Sequence, residues 1–198
     1  VVAAGCRNNL DIGRDRIVPM LRRLGVATIN TLVVTHSDID HLCGIIDIAR
    51  EINIQKIIIA KQTIENKTKP LELVLKSAEK KKIKILQRSS GWSEYIGGAK
   101  ITMLSPKKQE KHRTANAHSI VLLLGTNNRT VLFTGDIDEK KITELSGQLP
   151  KTIDIMELPH HGQWSVESNK LVHNNCPAVL IQSTNIARHA KDSWAIPP

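Results

Sequence analysis

Val33-Val-Thr-His-Ser-Asp-Ile-Asp-His-Leu-Cys-Gly44 is the stretch on which the reading of this chain turns. Two imidazoles, His36 and His41, and two carboxylates, Asp38 and Asp40, stand within six consecutive residues, directly after an apolar, β-branched run. Asp and His are poor strand and helix formers, so four of them together at a strand end are seldom there for packing. Borderline divalent metals want nitrogen and oxygen ligands converging from a short loop held by a rigid element. The bland alternative is a polar turn with a capping aspartate. It suits any one of these residues and explains the set of four poorly.

Working outward, two more segments have the same form. Val131-Leu-Phe-Thr-Gly-Asp136 reads as a buried strand ending in glycine and a carboxylate. Ile153-Asp-Ile-Met-Glu-Leu-Pro-His-His-Gly162 reads as a strand ending in paired histidines, His160 and His161. Strands that deliver ligand-type side chains at their C-terminal ends imply one shared rim at a sheet edge. His118, in Asn116-Ala-His-Ser, precedes the apolar run Ile120–Leu124 and joins the candidates; taken alone, a histidine beside a strand is more often structural or exposed.

A chain of 198 residues suffices for one α/β domain with an ample core. Its abrupt start and its Ile196-Pro-Pro ending read as a single domain trimmed at both ends. No apolar run approaches the ~20 residues of a membrane span, and no signal peptide is visible at the start. The formal charge of +9 favours an acidic partner such as a phosphate polymer. Aromatic residues make up only 3%, which argues against a stacking platform for unpaired bases. Lys107, Lys108, Lys111 and Arg113 lead into Asn116–His118 and are the candidate phosphate contacts, whereas Glu79–Lys84 reads as a solvated helix end. Cys6, Cys43 and Cys176 have no paired spacing and read as free thiols.

Helical spacing predicts helices over Ile17–Leu24, capped by Asp15 and stopped by Gly25, and over Asp40–Ile52, Pro70–Lys80, Glu139–Leu145 and Val166–Val172. Strands are expected at Ile29–Thr35, Lys56–Ala60, Ile83–Leu86, Lys100–Leu104, Ser119–Leu124, Thr130–Phe133, Ile153–Leu158 and Ala178–Ser183. Early strands alternate with helices and later ones come as a hairpin, which implies a mixed α/β layer structure.

His36-Ser-Asp-Ile-Asp-His41, Thr134-Gly-Asp136 and Pro159-His-His-Gly162, in that order, resemble the metallo-β-lactamase-fold hydrolases. The branch they are most similar to is the ComEC-type competence hydrolase domain, with its H-x-D-x-D-H loop. Asp11-Ile-Gly, Val18-Pro-Met-Leu-Arg-Arg-Leu-Gly25, Asn116-Ala-His-Ser-Ile-Val-Leu122 and Asn185-Ile-Ala-Arg-His189 extend the resemblance nearly end to end. It implies an αββα sandwich of two mixed sheets flanked by helices. It also implies two divalent metal ions, Mn2+ or Zn2+: His36, Asp38 and His118 around one, Asp40, His41 and His160 or His161 around the other, with Asp136 bridging. His161 is preferred because related sites put the ligand just before the glycine; His160 would then lie behind the ligands or touch substrate. Asp40 would orient the attacking water, and His189 would steady phosphate charge or protonate a leaving group. The branch differs in having Asp-Thr-Gly where this chain has Ala3-Ala4-Gly5, Asn where it has His118, and Pro where it has Ala190.

The resulting expectation is a metal-dependent phosphodiesterase or nuclease acting on DNA during competence-type uptake. A stand-alone hydrolase of a small phosphodiester or ester, and a basic DNA-binding module with a decayed site, are the alternatives. In a ComEC-type protein the domain would face outward from the cell membrane, and a free-standing relative would be cytoplasmic.

Overall fold

The structure is a computed structural model that describes residues 12–110 and 114–183. The chain divides into two compact units, Val1–Arg88 and Ser89–Pro198. The proposed roles of Lys111, Arg113 and His189, and the differences at Ala3 and Ala190, lie outside the described residues.

In the first unit a π-turn (Gly13–Ile17) runs into α1 (Val18–Arg23), followed by β1 (Thr28–Val34), α2 (Ile39–Glu51) and β2 (Asn53–Ala60). Then come α3 (Lys61–Glu65), α4 (Lys69–Lys80) and β3 (Lys84–Arg88). The three strands form a parallel sheet in the order β1-β2-β3, with Val34 opposite Ile59 and Ile59 opposite Gln87. Ile57–Ala60 is buried residue after residue, the pattern of an interior parallel strand. Leu42, Ile45, Ile48 and Ala49 line the buried face of α2 and pack with Leu32, Val34, Ile57 and Ile59 of the sheet and Leu71 and Val74 of α4. Each such aliphatic side chain contributes roughly 1.5–3 kcal/mol on burial.

Asp15 lies inside the π-turn and does not cap α1; Pro19 near the helix start makes a cap less necessary there, because its missing N–H is an orphan anyway. Gly25, at φ 70°, does end the segment as expected. Gly13 meets α2 so closely that a Cβ would sit 2.4 Å from the Gly44 carbonyl oxygen, so position 13 needs hydrogen for a side chain. Cys43 is disulfide-bonded, contrary to the free-thiol expectation, whereas Cys176 is free and exposed.

In the second unit a six-stranded sheet runs β4 (Ser93–Ile96), β5 (Ala99–Ser105), β6 (Val121–Gly125), β7 (Thr130–Phe133), β8 (Ile155–Glu157), β9 (Val179–Ile181). The pairs β4-β5, β5-β6 and β6-β7 are antiparallel; β7-β8 and β8-β9 are parallel. Strand β4 escaped the sequence reading because Ser93-Glu-Tyr-Ile96 is half-exposed at the sheet edge. Its partner is fixed by the two-residue Gly97-Gly98 turn, where φ values of 59° and 82° match the twist of a tight hairpin. Helices α5 (Glu139–Ser146) and α6 (Val166–Asn175) cover the core of Val121, Leu132, Ile142, Leu145, Met156 and Leu171.

Lys141 of α5 is only 2% exposed and lies between Glu110 and Glu144, the latter accepting from its Nζ at 2.8 Å. Burial works to lower the ammonium pKa, and the bonds to Glu110 and Glu144 outweigh it and raise it. Glu110 also accepts the Lys107 N–H at 2.9 Å, so this buried ion pair holds the loop that displays Lys107 and Lys108.

Candidate metal centre

Two sets of ligand-type residues occur, one in each unit. In the first, β1 ends at Val34 and the chain passes through Thr35-His36-Ser37-Asp38 before α2 begins at Ile39. His36 is fully buried and His41 nearly so. Their ring centroids lie 4.1 Å apart. Asp38 stands at the N-cap position of α2 with extended backbone, φ −73° and ψ 147°, yet its side chain makes no capping bond. Its Oδ2 instead lies 3.6 Å from His36 Nε2. An aspartate there normally accepts an N–H of the first turn, so the capping explanation fails where it was most available.

Thr35 Oγ1 lies 3.1 Å from His36 Nδ1 and 3.4 Å from His41 Nδ1. One hydroxyl hydrogen can serve only one of them, so at least one imidazole donates its Nδ1–H to Thr35 and keeps its lone pair on Nε2. That is the usual arrangement of a ligating imidazole, whose far nitrogen is held by a polar partner. Asp40 lies in the first turn of α2, one residue before His41.

In the second unit, β7 leads through Thr134-Gly-Asp136, and β8 through Leu158-Pro-His-His-Gly162. Asp136 is almost fully buried, and its N–H donates to Ser119 Oγ at 3.2 Å. Gly135 (φ 56°) would bring a Cβ to 3.2 Å from Ser119 Cβ, which explains the glycine before the carboxylate. The Thr134 hydroxyl donates to the Glu157 carbonyl, and the Thr134 and Gly135 N–H groups donate to the Glu157 carboxylate at 3.3 and 3.4 Å. The two loops of this unit that carry candidate ligands are thereby tied together.

His161 Nε2 lies 3.2 Å from Asp136 Oδ2. On its other side His161 Nδ1 lies 3.1 Å from the Ser183 carbonyl oxygen. A carbonyl cannot donate, so Nδ1 carries the hydrogen and, in the neutral ring, Nε2 presents its lone pair to Asp136. Lone pair and carboxylate face each other comfortably only across a proton or a cation. His160, His161 and Gly162 all have positive φ, at 50°, 60° and 84°. Left-handed backbone costs a non-glycine residue about 1 kcal/mol or more, so the surroundings of these two successive histidines must hold the loop in that shape. His160 N–H donates to the Gly135 carbonyl at 3.1 Å. His118 is buried on the short turn Asn116–His118, immediately before Ser119.

The donor chemistry fits a divalent metal. Two ligand atoms on a tetrahedral ion with bonds near 2.0–2.1 Å stand about 3.4 Å apart, and the His36–Asp38 and His161–Asp136 pairs, at 3.6 and 3.2 Å, bracket that value. Lys107 and Lys108 are exposed. Thr35, Ser119, Glu157 and Ser183 were not singled out from the sequence. Thr35 and Ser119 adjoin candidate ligands in the chain, which is the one local cue they offered; Ser183 lies 22 residues from the ring that it orients. Among the described residues no helix is long and apolar enough to cross a membrane.

The sequence pattern of the metallo-beta-lactamase superfamily matches residues 3–174. The chain is similar to ComE operon protein 3 of Bacillus subtilis, at 22% identity over 87% of this chain and 22% of that protein. It is also similar to Recombination protein 2 of Haemophilus influenzae, at 26% identity over 85% of this chain and 19% of that protein. The chain thus spans about a fifth of the length of these two relatives. Among solved structures, the metallo-beta-lactamase fold protein YhfI from Bacillus subtilis superposes with a TM-score of 0.54 at 11% identity, over 88% of this chain and 75% of that one. A Cronobacter sakazakii metallo-beta-lactamase with a HARLDQ motif gives 0.54 at 15% identity, over 81% of this chain and 66% of that one. With two helix-flanked sheets and the family's sequence pattern over residues 3–174, the chain belongs to the metallo-beta-lactamase superfamily and is a metal-dependent hydrolase of that fold.

Proposed function

We propose that the chain is a two-metal phosphodiesterase acting on DNA, with Mn2+ or Zn2+ as cofactor. The observation that carries the reading is the His161–Asp136 pair, in which the Ser183 carbonyl accepts the Nδ1–H and leaves Nε2 facing a carboxylate. The full ligand assignment rests on the family resemblance: His36, Asp38 and His118 for one ion, Asp40, His41 and His161 for the other, Asp136 for both. A pair of divalent ions, when bound, supplies Lewis acidity and a water acidic enough to lose its proton near neutral pH.

The protein's own part is orientation and charge. Asp40 orients the attacking water, and the buried Thr35 hydroxyl fixes the imidazoles of His36 and His41. His160 contacts the substrate, and His189 steadies charge on the phosphate or protonates the leaving oxygen. Lys107 and Lys108, with Lys111 and Arg113, offset the backbone charge of a nucleic acid. Asp38 in place of a second histidine gives a harder, more oxygen-rich donor set, which tilts the choice toward manganese.

DNA is favoured over a small ester by the net charge of +9 and by similarity to a protein named for recombination. By the resemblance to the ComEC-type competence domain, it would act during competence-type DNA uptake, on the outer side of the cell membrane. The test is hydrolysis of single- and double-stranded DNA by the purified chain with Mn2+, Zn2+ or Mg2+, beside a small chromogenic phosphodiester. Metal-dependent DNA cleavage inhibited by rising salt supports the proposal. Salt-insensitive turnover of the small ester alone gives the site to a small-molecule hydrolase, and tight DNA binding with no bound metal identifies a decayed site.

A further inference from the structure

The hydroxyl of Thr68, at the corner between α3 and α4, makes two bonds. It accepts the Leu71 N–H at 3.4 Å, capping α4, and it donates to the Ser37 carbonyl at 2.9 Å. One hydrogen and two lone pairs allow both at once. Asp138 and Ser165 cap α5 and α6 and are contacted locally; the Thr68 hydroxyl reaches a carbonyl 31 residues back.

Ser37 stands between His36 and Asp38 and is 2% exposed. Its carbonyl belongs to the peptide plane joining it to Asp38, so fixing that oxygen fixes the direction in which Asp38 leaves the backbone. The next plane is held by the His41 N–H, which donates to the Asp38 carbonyl at 3.1 Å. Both planes flanking Asp38 are therefore tied down, one from within α2 and one from α4. The carboxylate itself makes no capping bond that would do this locally.

We infer that Thr68 is a positioning residue for the metal loop: its hydroxyl holds the Ser37–Asp38 peptide so that Asp38 stands within reach of His36 before an ion binds. The inference rests on the reading of His36 and Asp38 as ligands. A loop already in its bound shape loses less ordering entropy when the ion arrives, and that saving appears as affinity. Outer partners of metal ligands are typically worth 10–100-fold in affinity; a backbone contact one bond removed from the ligand belongs near the lower end.

The experiment is a competition titration of the metal-free protein with Mn2+ against a chelating dye, beside the absorption spectrum of the Co2+ form. Thr68→Val is expected to weaken Mn2+ binding roughly tenfold and to alter the Co2+ spectrum. Thr68→Ser, which keeps donor and cap, is expected to restore both. Thr68→Ala, free of any misfit from the valine methyl, is expected to show the same loss as Thr68→Val. Ser165→Ala removes a comparable cap from α6 and is expected to leave both readouts unchanged. Wild-type affinity and spectrum in Thr68→Val or Thr68→Ala overturn the inference and leave the ligand reading standing. Wild-type protein that binds no Mn2+, Zn2+ or Co2+ overturns the ligand reading itself.

Discussion

His161 presents Nε2 to Asp136 Oδ2 at 3.2 Å while its Nδ1 is engaged by the Ser183 carbonyl. The ring is thus set by a backbone oxygen that cannot change its role with pH, which suits the His161–Asp136 pair to the ligand role proposed for it. His161→Ala and Asp136→Ala are each expected to lower metal-dependent hydrolysis more than a hundredfold, beyond the ~10–100-fold typical of outer partners. Far-ultraviolet circular dichroism should stay close to wild type. Full activity in either variant, assayed with saturating Mn2+, removes that residue from the ligand set.

Thr35 lies within hydrogen-bonding range of both His36 and His41 through their Nδ1 atoms. Thr35→Val keeps shape and burial but deletes the partner. Metal affinity is expected to fall 10–100-fold in equilibrium dialysis. An unchanged affinity would mean that other contacts orient the two imidazoles.

Gly162 has φ 84°, and a Cβ there would lie 2.5 Å from Gln182 Cγ. Gly162→Ala combines left-handed strain with this clash. It is expected to cost about 1–3 kcal/mol in urea unfolding and to weaken metal binding, because His161 precedes it. A Gly162→Ala protein as stable as wild type would show that the loop relaxes freely.

Asp154 accepts from Arg129 at 2.7 Å and from the Thr130 N–H and hydroxyl at 2.7 and 2.9 Å. First the Arg129 bond and then the two Thr130 bonds hold its carboxyl at about 2, against 3.8 for the unperturbed group. A pKa lowered by folding contributes stability that is complete above the unfolded value and is lost as pH falls from about 4 toward about 2. Asp154→Asn should be less stable than wild type at pH 7 and should flatten the decline across that window. Parallel pH–stability curves for the two proteins would show that this carboxylate does not contribute to acid sensitivity.

Lys107 and Lys108 sit on the loop held by Glu110 and the buried Lys141. If that loop contacts a phosphate backbone, Lys107→Ala with Lys108→Ala should reduce the slope of log affinity against log salt by about one to two. Cleavage of a small phosphodiester should be unchanged. A slope equal to wild type takes the loop off the nucleic-acid path.

Much of the site's chemistry was legible in the chain itself. His36, Asp38, Asp40, His41, Asp136 and His161 stand out because strand-forming runs stop abruptly at residues that neither strands nor helices favour. The α2 and α4 helices and the strands β1, β2, β6 and β7 followed from periodicity within one or two residues for helix ends, and within one to three for strand ends. The short α3 and the edge strand β4 did not, because five or four residues, mostly polar, are too few to show a hydrophobic period.

The sequence by itself determined which side chains could hold a metal and at which strand ends they would stand, because ligand chemistry and hydrophobic period are local properties. Tertiary structure decided which imidazole nitrogen is presented, why Asp38 does not cap its helix, and what pins the peptide before it. Ser183 lies 22 residues from His161, and Thr68 lies 31 from Ser37. Hydrogen bonds across such separations leave no period in a sequence, since only the pairing of β8 with β9 and the packing of α4 against α2 bring donor and acceptor together.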